Sequence, residues 1–382
     1  MVAEPKSRVR EMLQSVRAKG MNTSFCVAGA GHGGMAMAGH LAIMGFPVRL
    51  YNRTDEHLNG VRWHGGIKVK GQVEGFGRIN LATSDIAAAL DGADLVMVVL
   101  PSTAHREMAR KMAPHLRDGQ VVVLNPGRTG GALEFRKVLA DSAAAACPVI
   151  AETQTFIYAS RATSRHEAFI FAIKNRVPLA TLPAFWIPDV LSVLNPAYPQ
   201  FVAGSNVLCT SLENIGAVFH PALTLLNAGW IEATRGDFDY YTQGITPSVA
   251  KLLEQVDRER IAVARSLGIA TVSAREWLYL TYDSPGTSIY EAIQNTPSYR
   301  GIRAPGTIAH RYVFEDVPSS LVPLASLGAM LGEPTPTIEL VIRLASIMHG
   351  RDYWAEGRTV ERLGLAGMSV EEIRRIVSGG TL

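Results

Sequence analysis

Cysteine is scarce in this chain. Only Cys26, Cys147 and Cys209 occur among 382 residues, and no two form a CxxC pair. That excludes a disulfide framework and a cysteine-based zinc site; no metal is expected, and a reduced, cytoplasmic protein is. An excess of one charge is also missing. Lys and Arg number 37 against 34 Asp and Glu, a formal net charge of +3. So small an excess gives no bulk attraction for nucleic acid. No apolar run reaches the roughly 20 residues of a membrane helix, so no membrane span is expected. The first 20 residues, MVAEPKSRVREMLQSVRAKG, are basic without an apolar stretch. That is no secretory signal. They read as a solvated helical extension; a partner or membrane contact, or a real start at Met21, are the alternatives.

What is present is ordinary for a globular protein with a large core: 47% hydrophobic and 19% charged residues. The length fits two domains. In the first half, short apolar runs alternate with helical patterns. FCVAG (25–29), PVRLYN (47–52), DLVMVVLP (94–101), GQVVVLNPG (119–127) and PVIAETQ (148–154) read as strands. HGGMAMAGHLAIMG, SDIAAALDGA with a Ser N-cap, and TAHREMARKMAPHL read as helices. GIKVKGQVEGFGRINLA (66–82) reads as a hairpin or strand pair, and YASRATSRHEAFIFAIKN as two further strands. This alternation predicts an α/β domain with a doubly wound, mostly parallel sheet. From about Gly204 helical patterns dominate. The expected division is an extension at 1–20, a dinucleotide-binding Rossmann domain at 21–203, and an all-α substrate and catalytic domain at 204–382. There is no internal repeat, and the alanine run at 143–146 is the only low-complexity tract.

Gly29, Gly31 and Gly34 form G-x-G-x-x-G between a strand and a helix. In that context the first glycine permits a tight turn and the second lets a pyrophosphate approach the backbone. The third lets helix and strand pack closely, and the helix N-terminus offers donors and a positive dipole end. Gly33 and His32 lie within the same loop. The next strand ends Asn52-Arg53-Thr54, with no acid before Asp55. An acid there would bind the ribose hydroxyls of NAD and repel a 2′-phosphate; an arginine can pair with that phosphate. NADP(H) is therefore expected in preference to NAD(H). The ends of later strands should line the cofactor cleft, which brings in Leu100, Pro101 and Asn125 for the cofactor, and Gln154 as a candidate to bind substrate.

Hydride transfer also needs an acid or base opposite the nicotinamide. Of ten histidines, His40 reads as structural, His105 stands near a strand end, and His57, His64, His115, His166 and His349 sit in polar surroundings facing solvent. His220 differs: it falls in an apolar helical run, GAVFHPALTLLNAG, and precedes Pro221. Proline disfavours helix at the preceding residue, so the helix should break or restart there and present the imidazole, although the apolar periodicity alone reads as a satisfied core histidine. RYVFEDVPSSLVPL then places Arg311 ahead of Asp316, followed by Pro318 and a Ser-capped apolar helix. Asp316 could orient an imidazole, and Arg311 could take a substrate carboxylate. Taken alone, Arg311 with Glu315 and Asp316 also reads as a helix-entry salt-bridge cluster.

Taken together, LNPGRTGG, ETQTFIYASR, ENIGAVFHPALTLLNAG, RYVFEDVPSSLVPL, TPTIEL and EGRTVERLGL resemble the octopine/nopaline (opine) dehydrogenase family, from residue 25 to about 367. The resemblance implies reductive joining of an amino acid or amine to a 2-oxo acid through an imine, with NAD(P)H, or the reverse oxidation. It implies His220 as proton donor and acceptor, Asp316 as its partner, Arg311 as the carboxylate arginine, and a helical domain like that of 6-phosphogluconate dehydrogenase relatives. Asn214 is a further candidate to face substrate. Trp230, Tyr240, Tyr241, Trp277 and Tyr282 are aromatic candidates for the amine side, or core. An NADP-dependent 2-oxo or 2-hydroxy acid reductase without an amine, and a non-catalytic NADP-binding sensor, are the other classes these residues allow. The apolar helical segments fit either an internal core or a homodimer interface.

Overall fold

The computed structural model describes residues 5–142 and 146–379; positions 143–145 of the alanine run lie outside them. The chain divides into two compact units. One takes in the chain through Thr210 together with the segment from Arg375; the other is Ser211–Arg374.

In the first unit the helices are α1 (Pro5–Ala18), α2 (His32–Ile43), α3 (Asn59–His64), α4 (Ile86–Leu90), α5 (His105–Met112), α6 (Gly131–Asp141), α7 (Ile187–Leu194) and α8 (Val207–Leu212), the last reaching its boundary. The strands are β1 (Phe25–Ala28), β2 (Val48–Tyr51), β3 (Gly66–Gly71), β4 (Gly75–Arg78), β5 (Leu81–Thr83), β6 (Leu95–Val98), β7 (Val121–Leu124), β8 (Val149–Thr153), β9 (Tyr158–Ala162), β10 (Glu167–Ile173), β11 (Val177–Leu182) and β12 (Phe201–Ala203). Eight strands make one sheet in the order β12-β11-β8-β7-β6-β1-β2-β5. Every neighbouring pair is parallel except β11 with β8. The central strands β1, β6 and β7 are buried at every position, which is why they read as unbroken apolar runs.

A second, four-stranded sheet has the order β4-β3-β10-β9. The expected hairpins β3–β4 and β9–β10 are both there, antiparallel. Their union through the parallel pair β10–β3 had no local signal, because Glu167 meets Lys68 across a long stretch of chain. This sheet lies against α2 at Gly39, where a Cβ would stand 2.6 Å from Val69 and 3.0 Å from Ile67.

Two local readings need correcting here. From Pro5 to Ala18 the extension is helical, but its apolar stripe is buried rather than solvated: α1 packs on α7, and Val9 and Leu13 join the core. The N-cap of α4 is Asp85, whose side chain accepts from Ala87 N at 2.9 Å, not Ser84. An aspartate one residue nearer the helix does the same work.

The second unit is helical: α9 (Gly216–Leu226), the 20-residue helix Pro247–Ser266, and later helices including Arg311–Phe314, Val322–Leu331 and Pro336–His349. Among the described residues, no helix is long and apolar enough to cross a membrane.

Candidate functional site

The glycine loop follows β1 and opens α2. Gly29 has φ +122°, and a Cβ there would lie 2.3 Å from the Val99 carbonyl oxygen. At Gly34 a Cβ would fall 1.7 Å from the Gly29 carbonyl oxygen, so only glycine lets the helix approach the turn. Gly31 meets nothing within 4 Å. No neighbour in the chain demands glycine there, and the open space beside the helix N-terminus fits a ligand that must come close to the backbone. Gly33 is packed by the Phe156 ring, 2.7 Å from where its Cβ would be. His32 is exposed, and its Nδ1 accepts from Ala162 N at 3.0 Å, tying the loop to β9.

At the end of β2 the three polar residues divide their roles. Asn52 Oδ1 accepts from Ala30 N at 3.2 Å, and its Nδ2 donates to the Thr54 carbonyl and hydroxyl, each at 3.1 Å. Asn52 and Thr54 thus brace the glycine loop. Arg53 is 71% exposed, with Nη1 4.0 Å from Glu107 Oε2 on α5. Leu100 flanks the loop, its side chain 2.9 Å from the position of a Gly29 Cβ, and Pro101 is exposed beside it. Asn125 follows β7, is 2% exposed and donates Nδ2 to the Val123 carbonyl at 2.8 Å, while its buried Oδ1 has no partner among the described residues. Gln154 follows β8 and is half-buried. These residues fit a dinucleotide: an open approach at Gly31, a cation at the end of β2, and an unmatched acceptor past β7. His105 is fully buried.

In the second unit, α9 carries His220 and runs on without a break through Pro221. The proline forfeits one backbone bond near the middle of the helix, but the apolar residues around it are buried, and that packing outweighs the local penalty. The imidazole is presented all the same. His220 Nδ1 lies 2.8 Å from Asp316 Oδ2, with side-chain exposures of 19% and 1%. The ring stacks on Tyr312, centroids 4.2 Å apart and planes 20° off parallel. The His220 carbonyl accepts from Thr224 Oγ1 at 2.7 Å and from Tyr240 Oη at 3.1 Å. Backbone and ring are therefore held separately. Sequence reasoning missed Tyr312, Thr224 and Tyr240 in this duty; the signal for Tyr312 was its place beside Arg311.

Arg311 begins the short helix facing α9. Its Nε and Nη2 reach Glu315 Oε2 at 2.9 and 2.7 Å, while the side chain stays 53% exposed. The carboxylate orients the guanidinium, and its exposed edge remains available to an anion. Half-buried His310 flanks this group, its ring centroid 4.4 Å from Tyr312. Burial, then the positive Arg311, lowers its pKa. Ser319 and Ser320 do not cap a helix; they lie within a π-helical turn, Val317–Leu321, that leads straight into the next helix. Ser320 Oγ instead accepts from Asn214 Nδ2 at 2.9 Å, which pins the approach to α9. Of the aromatic candidates, Tyr240 and Tyr241 are buried, Trp230 stacks on Phe238 at 3.9 Å, and Trp277 meets Tyr282 edge-on. His349 is half-buried and bonded to Tyr353 Oη rather than facing solvent.

Comparison with known proteins bears on the family and the fold. Residues 203–349 match the family described as NAD/NADP octopine/nopaline dehydrogenase, alpha-helical domain, and residues 24–127 match the NAD-dependent glycerol-3-phosphate dehydrogenase N-terminus. The opine dehydrogenase of Arthrobacter sp. (strain 1C) is 40% identical over 355 residues, covering 93% of this chain and 98% of that one. An octopine dehydrogenase solved with NADH and L-arginine superposes with a TM-score of 0.77 at 21% identity, over 94% of this chain and 99% of that one. A yersinopine dehydrogenase with NADP+ bound gives a TM-score of 0.69 at 16% identity, over 94% and 98% of the two chains.

Proposed function

The chain belongs to the octopine/nopaline (opine) dehydrogenase family, NAD(P)-dependent oxidoreductases that condense an amino group with a 2-oxo acid, and from that premise we propose how its own residues divide the reaction. Arg311 pairs with the carboxylate of the 2-oxo acid, as a guanidinium with a free edge can. The neutral amine attacks the carbonyl carbon. His220 protonates the departing hydroxyl of the carbinolamine and takes up protons released from nitrogen, while Asp316 holds the ring in place. Tyr312 and the bonds to the His220 carbonyl keep the ring from turning away. Asn214 holds the entry to α9 through Ser320. The glycine loop with Gly29, Gly31 and Gly34 would hold a nicotinamide cofactor, which when bound would supply the hydride for the imine carbon. The observation that carries this reading is the 2.8 Å pairing of a partly exposed imidazole with a buried carboxylate, on a helix packed against the one that begins at Arg311.

Arg53 takes the 2′-phosphate, so NADPH is the favoured cofactor. Asn125 Oδ1 is an acceptor suited to an amide N–H such as that of the nicotinamide carboxamide, and Gln154 lies within reach of the same strand ends. Three cysteines not joined by disulfides, Cys26, Cys147 and Cys209, suit a reducing cytoplasmic setting. The deciding experiment is an NADPH-consumption screen of amino acids and amines against pyruvate, glyoxylate and longer 2-oxo acids, with product mass measured. A product with the mass of the reduced conjugate supports the reading. NADPH oxidation by an oxo acid alone would instead make the protein an amine-independent reductase.

A further inference from the structure

We propose that Glu107 sets the cofactor preference, acting as an internal anion that competes with the adenosine 2′-phosphate for Arg53 and Lys111. The inference rests on the reading that Arg53 receives that phosphate. Glu107 stands in the first turn of α5, across from the end of β2. Its Oε2 lies 4.0 Å from Arg53 Nη1 and its Oε1 lies 2.9 Å from Lys111 Nζ. Arg53, Glu107 and Lys111 are all substantially exposed, at 71%, 54% and 38%. One carboxylate therefore bridges two cations that belong to different elements. Lys111, then Arg53 and Arg110, lower its pKa, so it is ionised at neutral pH.

The consequence differs for the two nucleotides. A phosphate entering beside Arg53 meets a second anion already in contact with the same cations, and must displace it. A ribose diol carries no charge and meets no such opposition. Glu107 can also accept from ribose hydroxyls, the task that an acid at the end of β2 would otherwise perform. The arrangement thus moderates the preference for NADPH and keeps NADH usable, through an acid on a neighbouring helix that the spacing of the glycine motif does not reveal.

Fluorescence titration of the full-length protein with NADPH and with NADH tests this for wild type, Glu107→Gln and Arg53→Ala. Glu107→Gln should tighten NADPH about three- to tenfold relative to NADH, because one repulsion at close range is removed. The gain should shrink at an ionic strength of about 0.5 M, where exposed charges are screened. Arg53→Ala should weaken NADPH selectively. If Arg53→Ala behaves so but Glu107→Gln leaves the NADPH-to-NADH ratio at its wild-type value, or shifts it independently of salt, the competition is refuted while the phosphate site stands. If Arg53→Ala also leaves the ratio unchanged, both readings fall together.

Discussion

His220 Nδ1 and Asp316 Oδ2 stand 2.8 Å apart although 96 residues separate them in the chain. A buried carboxylate at Nδ1 keeps the hydrogen on that nitrogen and leaves Nε2 to exchange protons with substrate. His220→Ala should lower kcat by about a hundredfold or more while the protein remains folded. Asp316→Asn should lower kcat by at least about tenfold, with a smaller change in the KM of the oxo acid, because the ring loses its orienting charge rather than the substrate its anchor. Steady-state kinetics with NADPH and the best substrate pair would measure both. Near-normal turnover of His220→Ala would remove this pair from the mechanism.

Arg311 answers to a different readout. Its bonds to Glu315 use one side of the guanidinium, at 2.9 and 2.7 Å. Arg311→Ala should raise the KM of the 2-oxo acid by about tenfold or more and leave the KM of NADPH nearly unchanged. Arg311→Lys should recover only part of the loss, since an ammonium cannot grip a carboxylate with two parallel bonds. An unchanged oxo-acid KM in both variants would show that the arginine only braces its helix through Glu315.

Two glycines in one motif should fail in different ways. Gly34→Ala places a methyl 1.7 Å from the Gly29 carbonyl oxygen, so the helix must move from the turn. It should lower Tm by several degrees and weaken cofactor binding with it. Gly31→Ala meets no protein atom within 4 Å, so Tm should hold while the cofactor Kd rises about tenfold or more. Thermal melts without nucleotide, paired with NADPH titration, separate the two. Equal melting losses in both variants would contradict the assignment of Gly31 to the ligand.

The sequence made the parallel sheet legible because its central strands, such as β6 and β7, are buried on both faces and so spell continuous apolar runs. The glycine loop was legible because its spacing follows from sterics within a few residues. Tertiary outcomes were not. Pro221 carries a local signal to break a helix, and the buried apolar surface of α9 overrode it. The parallel pairing of β10 with β3 joins two hairpins that each looked complete. At the site, His220 with Asp316 and Arg311 could be proposed from residue chemistry and resemblance. The Tyr312 stack, the two bonds to the His220 carbonyl and the Glu107 carboxylate beside Arg53 depend on which faces meet, which no short motif encodes.

His40 offers a test in the sheet-bearing unit, away from the chemistry. It lies on α2 with Nδ1 2.8 Å from Tyr158 Oη, and Tyr158 in turn donates to Tyr198 Oη at 3.0 Å. Burial lowers the His40 pKa from its ordinary 6.5, because the apolar surroundings disfavour the imidazolium. Between that lowered value and 6.5 the unfolded chain binds a proton that the folded one refuses. Stability therefore rises with pH across this window, is fully present above 6.5, and is lost as pH falls through it toward the folded pKa. His310 and His349 are shifted the same way, each chiefly by burial, and add to the slope. Melting temperature should fall as pH is taken from about 8 to about 5.5, and His40→Gln should flatten part of that fall. The variant should also start lower at the alkaline end, by the equivalent of about 1 kcal/mol for the altered hydrogen bond to Tyr158. Parallel curves for wild type and His40→Gln would mean that this imidazole takes its proton in the folded state as readily as in the unfolded chain.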